Sequence, residues 1–465
     1  MNEPLDVEGV WWLPESPDHK VSGWFRYDQD NGGHLRLAGS LRPLNWINNE
    51  MADGTVQRFI GHRPDEDKIY PRVHGQAGHR LFNLEDAFQL SLIDGVCRED
   101  DAFESVHVNW LITGAWFVGD DRPEVHRAVV ELQHLTAWSD NDALSVDWDD
   151  VPSDVFAQAT ASRIPTESAD IGGGLEMALV QALSTAGDQR NEVTLEQRVL
   201  LRISSREPTS MDNLTDRVAD FQDLLTIASG KVANIQRFHF THADVPKLSL
   251  AGKPLGNWEE ELELHMRWSN RVLDNERLSP YGMVFTLEQF GGIDGLRRWM
   301  TIADQYRSEL RRILATRYNA GMFLEDRVAH CVAALESFDR TRRNSKDGDT
   351  YLVERLRLCV AHAGSPFEDL LAGESVASWT QRAKSHRHAL GHHLDRYRSN
   401  RGLVEGELAD QLLWLGQLCL LRSAEAPEPV FERIRNDSHF RWVAKRVAAR
   451  REEAARSTAP DSPVQ

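Results

Sequence analysis

Leu403–Leu421 has the sequence LVEGELADQLLWLGQLCLL and is the most hydrophobic helical stretch of the chain. Its apolar residues recur at three- and four-residue steps, which is the spacing of one buried helical face. The apolar part, Leu412–Leu421, is much shorter than the roughly 18 apolar residues of a membrane span. We therefore interpret the segment as one helix of a helical bundle and expect no membrane partner.

Three more amphipathic helices are predicted upstream of this segment. Asn319–Arg340 and Tyr351–Ala363 carry apolar residues at helical spacing, and a third helix is expected to begin at Glu374 or Ser375. The Ser375 hydroxyl is a candidate N-terminal cap for that third helix. Four helices of this length with short connections predict an all-α bundle over residues 319–450.

The third predicted helix leads into Ser385-His386-Arg387-His388-Ala389-Leu390-Gly391-His392-His393. Arg387 and His392 are separated by four residues, with a polar residue directly after the arginine. This pattern is typical of a ribonuclease that uses no metal. A histidine titrates near neutral pH and can move the proton of an attacking 2′-hydroxyl. An arginine stays charged and matches the geometry of a phosphate.

Several alternatives to this pair exist within the same segment. Arg382–His388 and Arg387–His393 are rival pairs with one residue more between them. His388 and His392 have a spacing that can hold zinc, but no suitable glutamate or cysteine is nearby, so we expect no metal and no cofactor. Arg387 and His392 are also about 140 degrees apart on a straight helix, and Gly391 is a plausible point for the helix to loosen. Without catalysis, the segment would be a helix C-terminus decorated with cations.

A helical bundle with this motif at the end of its third helix resembles the HEPN superfamily (higher-eukaryote and prokaryote nucleotide-binding). Ala333–Phe338, AALESF, resembles the apolar-Leu-Glu signature of the ApeA-like subgroup. Three N-terminal segments are similar to the domain that accompanies ApeA-type HEPN nucleases: Gly9–Pro14, Val21–Tyr27 and Leu35–Gly39. The resemblance covers most of the chain. The family often has Asn or Asp after the motif arginine, where this chain has His388.

The resemblance implies a metal-independent endoribonuclease that acts in anti-phage defence by abortive infection. In HEPN proteins two bundles pair so that both motifs share one cleft, so a homodimer through the C-terminal bundle is expected. Arg387 and His392 are the predicted catalytic residues, and His388 is expected to contact the scissile phosphate or hold Arg387. Glu336 is interpreted either as a residue that positions Arg387 or a motif histidine or as a surface glutamate.

The expected substrate is RNA, either tRNA or another structured RNA with single-stranded loops, and a phage-derived trigger is expected to activate the protein. The competing hypothesis is a non-catalytic module. In that case the bundle only dimerises or binds nucleotide, and the N-terminal part binds a protein.

The net charge of −19 is spread unevenly along the chain. Residues 301–465 contain 26 Lys and Arg against 23 Asp and Glu, a net charge of +3, which leaves −22 for residues 1–300. An anionic surface repels nucleic acid, so contact with RNA is expected in the C-terminal part. The four cysteines form no Cys-x2-Cys pair and the N-terminus resembles no signal peptide, so a cytoplasmic, reduced protein is expected.

Alternating apolar residues, such as Val106, Val108 and Trp110, predict a β-rich region over residues 1–205. We predict an α+β multidomain chain with a sandwich-like N-terminal domain that senses the trigger or restrains the nuclease. The predicted parts are a β-rich domain over 1–235, a mostly helical connector over 236–318, the HEPN bundle over 319–450 and a disordered tail over 451–465. Gly172-Gly173-Gly174 lacks the Lys-Ser/Thr pair of a phosphate-binding loop and is predicted to be a plain loop.

Overall fold

A computed structural model describes residues 5–43, 46–60, 68–93, 102–119, 121–141, 143–147, 158–188, 190–266, 277–345, 350–391 and 401–458. The strands are β1 Leu5–Trp12, β2 Val21–Asp28, β3 Gly32–Ala38, β4 Trp46–Glu50, β5 Val56–Ile60, β6 Ile69–Ala77, β7 Arg80–Ile93, β8 Phe103–Thr113, β9 Glu124–Leu132, β10 Leu144–Asp147, β11 Gln158–Ala161, β12 Glu167–Asp170, β13 Leu175–Ala186, β14 Thr194–Ser210, β15 Ile235–Thr241, β16 Pro246–Leu248, β17 Pro254–Glu259 and β18 Leu262–Met266. The helices are α1 Leu135–Ser139, α2 Met211–Ser229, α3 Gly292–Gln305, α4 Arg307–Tyr318, α5 Leu324–Arg343, α6 Leu352–Ala363, α7 Ser365–Leu371, α8 Val376–Gly391, α9 Arg401–Ser423, α10 Glu428–Asn436 and α11 Ser438–Thr458.

The chain forms two compact units that interleave in sequence. The strand unit consists of Met1–Glu131, Leu201–Asp216 and Ile235–Ser269. The helical unit consists of Leu132–Leu200, Arg217–Asn234 and Asn270–Gln465. An N-terminal β-rich part followed by a C-terminal helical region confirms the predicted fold class. The four predicted domains remain predictions of functional organisation.

The strand unit contains a sheet that closes on itself. Its strands follow the order β8-β3-β2-β1-β6-β7, and β7 also pairs with β8. Its interior holds a continuous apolar core, in which the Trp11 ring lies so close to Gly75 that a Cβ there would come within 2.1 Å of a ring carbon. Only glycine therefore fits at position 75 without displacing the tryptophan.

The sandwich-like arrangement expected from the sequence is a closed sheet instead. Strand alternation identifies a half-buried face, but it does not determine which edges pair. Here β7 is 14 residues long and closes the sheet, because it pairs with β6 along one side and with β8 along the other. The connector predicted over 236–318 is not helical at β18, where Leu262 and Leu264 are buried in strand alternation and the strand pairs with β8.

The helical unit is organised around α9. Every residue from Glu407 to Leu421 is buried, and α9 packs against α4, α5, α6, α7 and α11. The predicted helix at Leu403–Leu421 is therefore confirmed. Neighbouring helices of the same chain cover the leucines of this stretch.

Helix α11 continues into the predicted disordered tail. It extends to Thr458, and the Arg451 guanidinium donates to the carbonyl oxygen of Ala372. Glu452 and Arg456 form an ion pair one helical turn apart at 3.3 Å. Helix-forming Ala, Arg and Glu thus extend the helix beyond the point where apolar periodicity stops.

Candidate active site

The first half of α8 is anchored in the helical unit. The Ser375 hydroxyl accepts a hydrogen bond from the Ser378 amide at 3.2 Å, which confirms the predicted N-terminal cap. The buried Trp379 ring packs edge-on against Phe367, with the ring centroids 5.0 Å apart. The Trp379 indole donates to the Gln411 side chain of α9 at 3.0 Å. These contacts fix the rotation of α8 about its axis.

Arg382, one of the rival motif arginines, belongs to the same buried network. Its guanidinium contacts Glu374 at 2.8 Å and donates to Gln411 at 3.1 Å. The Gln411 amide in turn donates to the carbonyl oxygen of Leu370 at 2.8 Å. A guanidinium held in this way ties α8 to α7 and α9, so it is poorly placed to meet a substrate phosphate.

Arg387 lies five residues further along α8 and is accessible. Its side chain is 48% exposed, and its guanidinium nitrogen lies 3.5 Å from a carboxylate oxygen of Glu336 on α5. Glu336 is 24% exposed and also lies 3.8 Å from Arg340. The structure therefore brings together two of the four predicted site residues, Arg387 and Glu336, as the positioning interpretation of Glu336 requires.

The histidines of the motif are only partly described. His388 is exposed on the last turn of α8, and His386 Nδ1 lies 3.9 Å from the carboxylate of Glu405 at the start of α9. Helix α8 ends at Gly391, the predicted point of loosening. His392 and His393 lie outside the described residues.

Sequence reasoning missed a charged cluster beside this site. The Asp339 carboxylate is fully buried on α5 and contacts Arg343 at 2.7 Å, Arg342 at 3.3 Å and Arg355 of α6 at 3.5 Å. The signal in the sequence is an aspartate followed by arginines three and four residues later, which places all three on one side of a helix. The cluster joins α5 to α6 and so supports the helix that carries Glu336.

A second missed group is Asp223 on α2. Burial raises the pKa of Asp223 to about 7, although the hydroxyl of Tyr318 donates to its carboxylate. Strongly shifted carboxyl groups are common in active sites. Asp223 is enclosed beside the buried Tyr318, so we interpret it as a structural group.

The described cysteines are also structural. Cys331, Cys359 and Cys419 are free and buried. Burial raises the pKa of the Cys331 thiol to about 12, and the Cys419 thiol donates to the carbonyl oxygen of Cys359 at 3.4 Å. Since the thiolate is the reactive form, neither Cys331 nor Cys419 is poised as a nucleophile.

The strand unit has its own buried ion pair, Arg72 with Glu85 at 2.7 Å. The Arg72 guanidinium also donates to the carbonyl oxygens of Gly119 and Asp121, at 2.6 and 2.8 Å. Burial raises the pKa of Glu85, and the Arg72 guanidinium opposes this shift. These contacts tie the segment after β8 to β6 and β7.

Gly172-Gly173-Gly174, in the helical unit, is a turn with positive φ at each residue, as predicted.

The described residues meet the requirements neither of a membrane-spanning helix nor of a metal site. No helix in them is both long enough and apolar enough to cross a membrane. They also contain no group of three or more His, Cys, Asp or Glu side chains arranged to hold a metal ion.

A protein-family model described as ApeA N-terminal domain 1 matches residues 6–299. No curated protein and no solved structure is significantly similar to the chain. The matched residues cover the strand unit from residue 6 onward and end within α3. Glu336, Arg387 and the motif histidines lie beyond the match, so their roles depend on their chemistry and on the geometry of α5 and α8.

Proposed function

Since the chain belongs to the ApeA N-terminal domain 1 family, we propose that it is an anti-phage defence protein whose helical unit cuts RNA. The observation that carries this proposal is the pairing of Arg387 with Glu336. An arginine that is 48% exposed, held by a partly buried carboxylate, is placed to meet a phosphate from solution. A role in defence is supported by the family, and the activity by the motif on α8.

In the proposed reaction the 2′-oxygen of a ribose attacks the adjacent phosphorus. His392 accepts the proton of that hydroxyl as the 2′-O–P bond forms. The Arg387 guanidinium offsets the charge that gathers on the phosphoryl oxygens. The bond from phosphorus to the 5′-oxygen then breaks and that oxygen takes up a proton. The products are a 2′,3′-cyclic phosphate and a 5′-hydroxyl, and no metal enters the reaction.

The proposed active form is a homodimer in which two copies of the motif share a cleft. It is supported by the spacing of the motif, because residues five positions apart on a straight helix would differ by about 140 degrees and align poorly for one site. Two chains related by a two-fold axis would supply two arginines and two histidines to one groove. The acidic N-terminal part is proposed to restrain this cleft until a phage-derived signal binds.

The test is cleavage of cellular RNA by purified wild-type protein, Arg387→Ala and His392→Ala. Arg357→Ala is the matched control, because Arg357 is a half-exposed arginine of α6 paired with Glu354. With phage-infected cell extract added as the source of the signal, we expect wild type and the control to cut, in EDTA as well, and both motif variants to be inactive. New 5′ ends should accept phosphate from a kinase without prior dephosphorylation.

Two results would refute the proposed chemistry. If cleavage disappears with EDTA and returns with zinc or manganese, the histidine cluster is a metal site. If all four proteins leave RNA intact in the presence of phage-infected cell extract, the helical unit is a non-catalytic module.

A further inference from the structure

We infer that the exposed face of α11 is a binding surface for single-stranded RNA, separate from the motif on α8. This inference rests on the proposed function, since it assumes that RNA is the ligand of the helical unit. The surface consists of His439, Arg441, Trp442, Lys445 and Arg446, and we call it the α11 face.

The first argument is charge. Residues 438–451 contain five arginines and lysines and no aspartate or glutamate. Arg446 and Arg450 lie 4.0 and 2.5 Å from the carboxylate of Glu407, which holds them against α9. Arg441 and Lys445 are exposed, and neither has a carboxylate within ion-pairing distance among the described residues. Two cations one helical turn apart are thus available for phosphates.

The second argument is an aromatic ring at the surface. Trp442 is 47% exposed, whereas Trp299, Trp379 and Trp414 of the same unit are at most 2% exposed. The His439 ring stacks on the Trp442 ring at 5.8 Å and 26°, and the Arg446 guanidinium lies 4.4 Å from the Trp442 ring centroid. This contact of a cation with the ring face orients the indole. An oriented exposed ring between cations is how proteins stack unpaired bases.

The third argument is position. Glu405 and Glu407 stand two residues apart in the first turns of α9. Glu405 approaches His386 of α8, while Glu407 binds Arg450 of α11. Helices α8 and α11 therefore both reach the same end of α9, but on nearly opposite sides, because two residues amount to about 200 degrees of helix. RNA held on the α11 face would pass around this end of α9 to reach the motif.

Charge also argues against a second copy of this chain as the occupant. A two-fold contact would press the same patch against itself, and here that would bring two clusters of like charge together. Single-stranded RNA instead supplies both phosphates and unpaired bases. On the α11 face, Arg441 and Lys445 can contact the phosphates and the Trp442 ring can stack on a base.

The experiment measures binding of a fluorescein-labelled 20-nucleotide oligouridine to the full-length chain by anisotropy. All proteins carry Arg387→Ala, so that RNA is not consumed. Trp442→Leu keeps apolar volume but loses the ring, Trp442→Phe keeps a ring, and Arg441→Gln with Lys445→Gln removes the free cations. Trp258→Ala is the control for an exposed tryptophan, since Trp258 is 72% exposed on a different unit. Arg357→Gln is the control for a lost cation.

We expect Trp442→Leu to bind roughly five- to a hundredfold more weakly, and Trp442→Phe and both controls to bind nearly as well as the parent. Loss of two phosphate contacts should reduce the slope of log affinity against log salt by about 1.4. Equal affinity in all variants overturns the inference, even if wild type cuts RNA. A Trp442→Leu protein that becomes monomeric in light scattering with unchanged RNA affinity overturns it too, and assigns the face to subunit contact. If wild type binds through α11 but never cuts, the inference stands and the proposed function fails.

Discussion

At the scale of single residues, two arginines on one helix have different environments. Arg382 and Arg387 both precede a histidine at nearly the same spacing, so the sequence alone offers both as candidates. Burial separates them, since Arg382 is tied to Glu374 and Gln411 while Arg387 is half exposed. The decisive contact comes from Gln411 of α9, and a contact between helices cannot be obtained from spacing along one helix.

Glu336→Gln tests the role of the carboxylate beside Arg387. A partly exposed ion pair contributes at most about 1 kcal/mol, so we expect cleavage to fall by no more than about fivefold at low salt. Arg387→Ala should lower it by about a hundredfold or more. The deficit of Glu336→Gln should shrink in high salt, because salt screens the pair. Cleavage rates measured from low to high salt check this, with Glu354→Gln as control, and a deficit that does not depend on salt would contradict a positioning role.

Asp223→Asn is expected to change how stability depends on pH. Burial raises the folded pKa from the ordinary 3.8 to about 7, so between these values the folded chain holds a proton that the unfolded chain has lost. Stability therefore falls as pH rises from about 4 to about 7, by up to about 1.4 kcal/mol per pH unit. Asparagine does not titrate, so the stability of Asp223→Asn should not fall in this way as pH rises.

Urea unfolding at pH 4.5, 5.5 and 6.5 measures the effect of Asp223→Asn. The gain in stability over wild type should grow with pH over this range. Asp294→Asn removes an exposed carboxylate of α3 and serves as the control. Parallel curves for wild type and Asp223→Asn would rule out a buried proton at Asp223.

At the scale of elements, α9 shows what apolar periodicity predicts well. The predicted Leu403–Leu421 differs from the observed Arg401–Ser423 by two residues at each end. Long helices with one clear spacing are robust in this way. The short strand β18 falls in the stretch predicted to be mostly helical, because five residues hold too few repeats to separate period 2 from period 3.6 and because the strand is defined by its pairing with β8.

Two glycines within α9 provide a matched test of its packing. A Cβ at Gly406 would meet no atom within 4 Å, whereas one at Gly416 would lie 2.7 Å from Cδ1 of Ile313 on α4. We expect Gly406→Ala to stabilise the protein by about 0.5–1 kcal/mol, because alanine favours helix. Gly416→Ala should be less stable than Gly406→Ala by about 1–3 kcal/mol, the usual cost of overpacking. Urea unfolding of both proteins measures this difference. Equal unfolding free energies would mean that α4 shifts to accommodate the added methyl group without cost.

At the scale of the whole molecule, the uneven charge was visible in the sequence, whereas the interleaved units were not. The strand unit takes Leu201–Asp216 and Ile235–Ser269 from beyond the helix α1 and the strands β10–β13. Such an arrangement depends on long-range pairings, for example Leu201 with Val130. Local patterns contain no information on these partners, so the sequence predicted classes of structure and not their assembly.

The proposed dimer is tested by mixing two inactive proteins, Arg387→Ala and His392→Ala. If one cleft uses residues from both chains, the mixed dimers should regain part of the RNA cleavage. The control mixes Arg387→Ala with the double variant, which leaves no arginine at position 387 and should stay inactive. Light scattering reports whether the chains associate, and full activity from a protein that remains monomeric at micromolar concentration would exclude a shared cleft.

The buried thiols on α5, α6 and α9 are internal probes of how often the helical unit opens. An alkylating reagent reaches Cys331, Cys359 or Cys419 only while the surrounding helices are apart, because all three are buried. Their labelling rates therefore report the frequency of local opening around each thiol. Equal rates would mean that the helices open as one cooperative block, and a faster thiol would identify the helix that departs first.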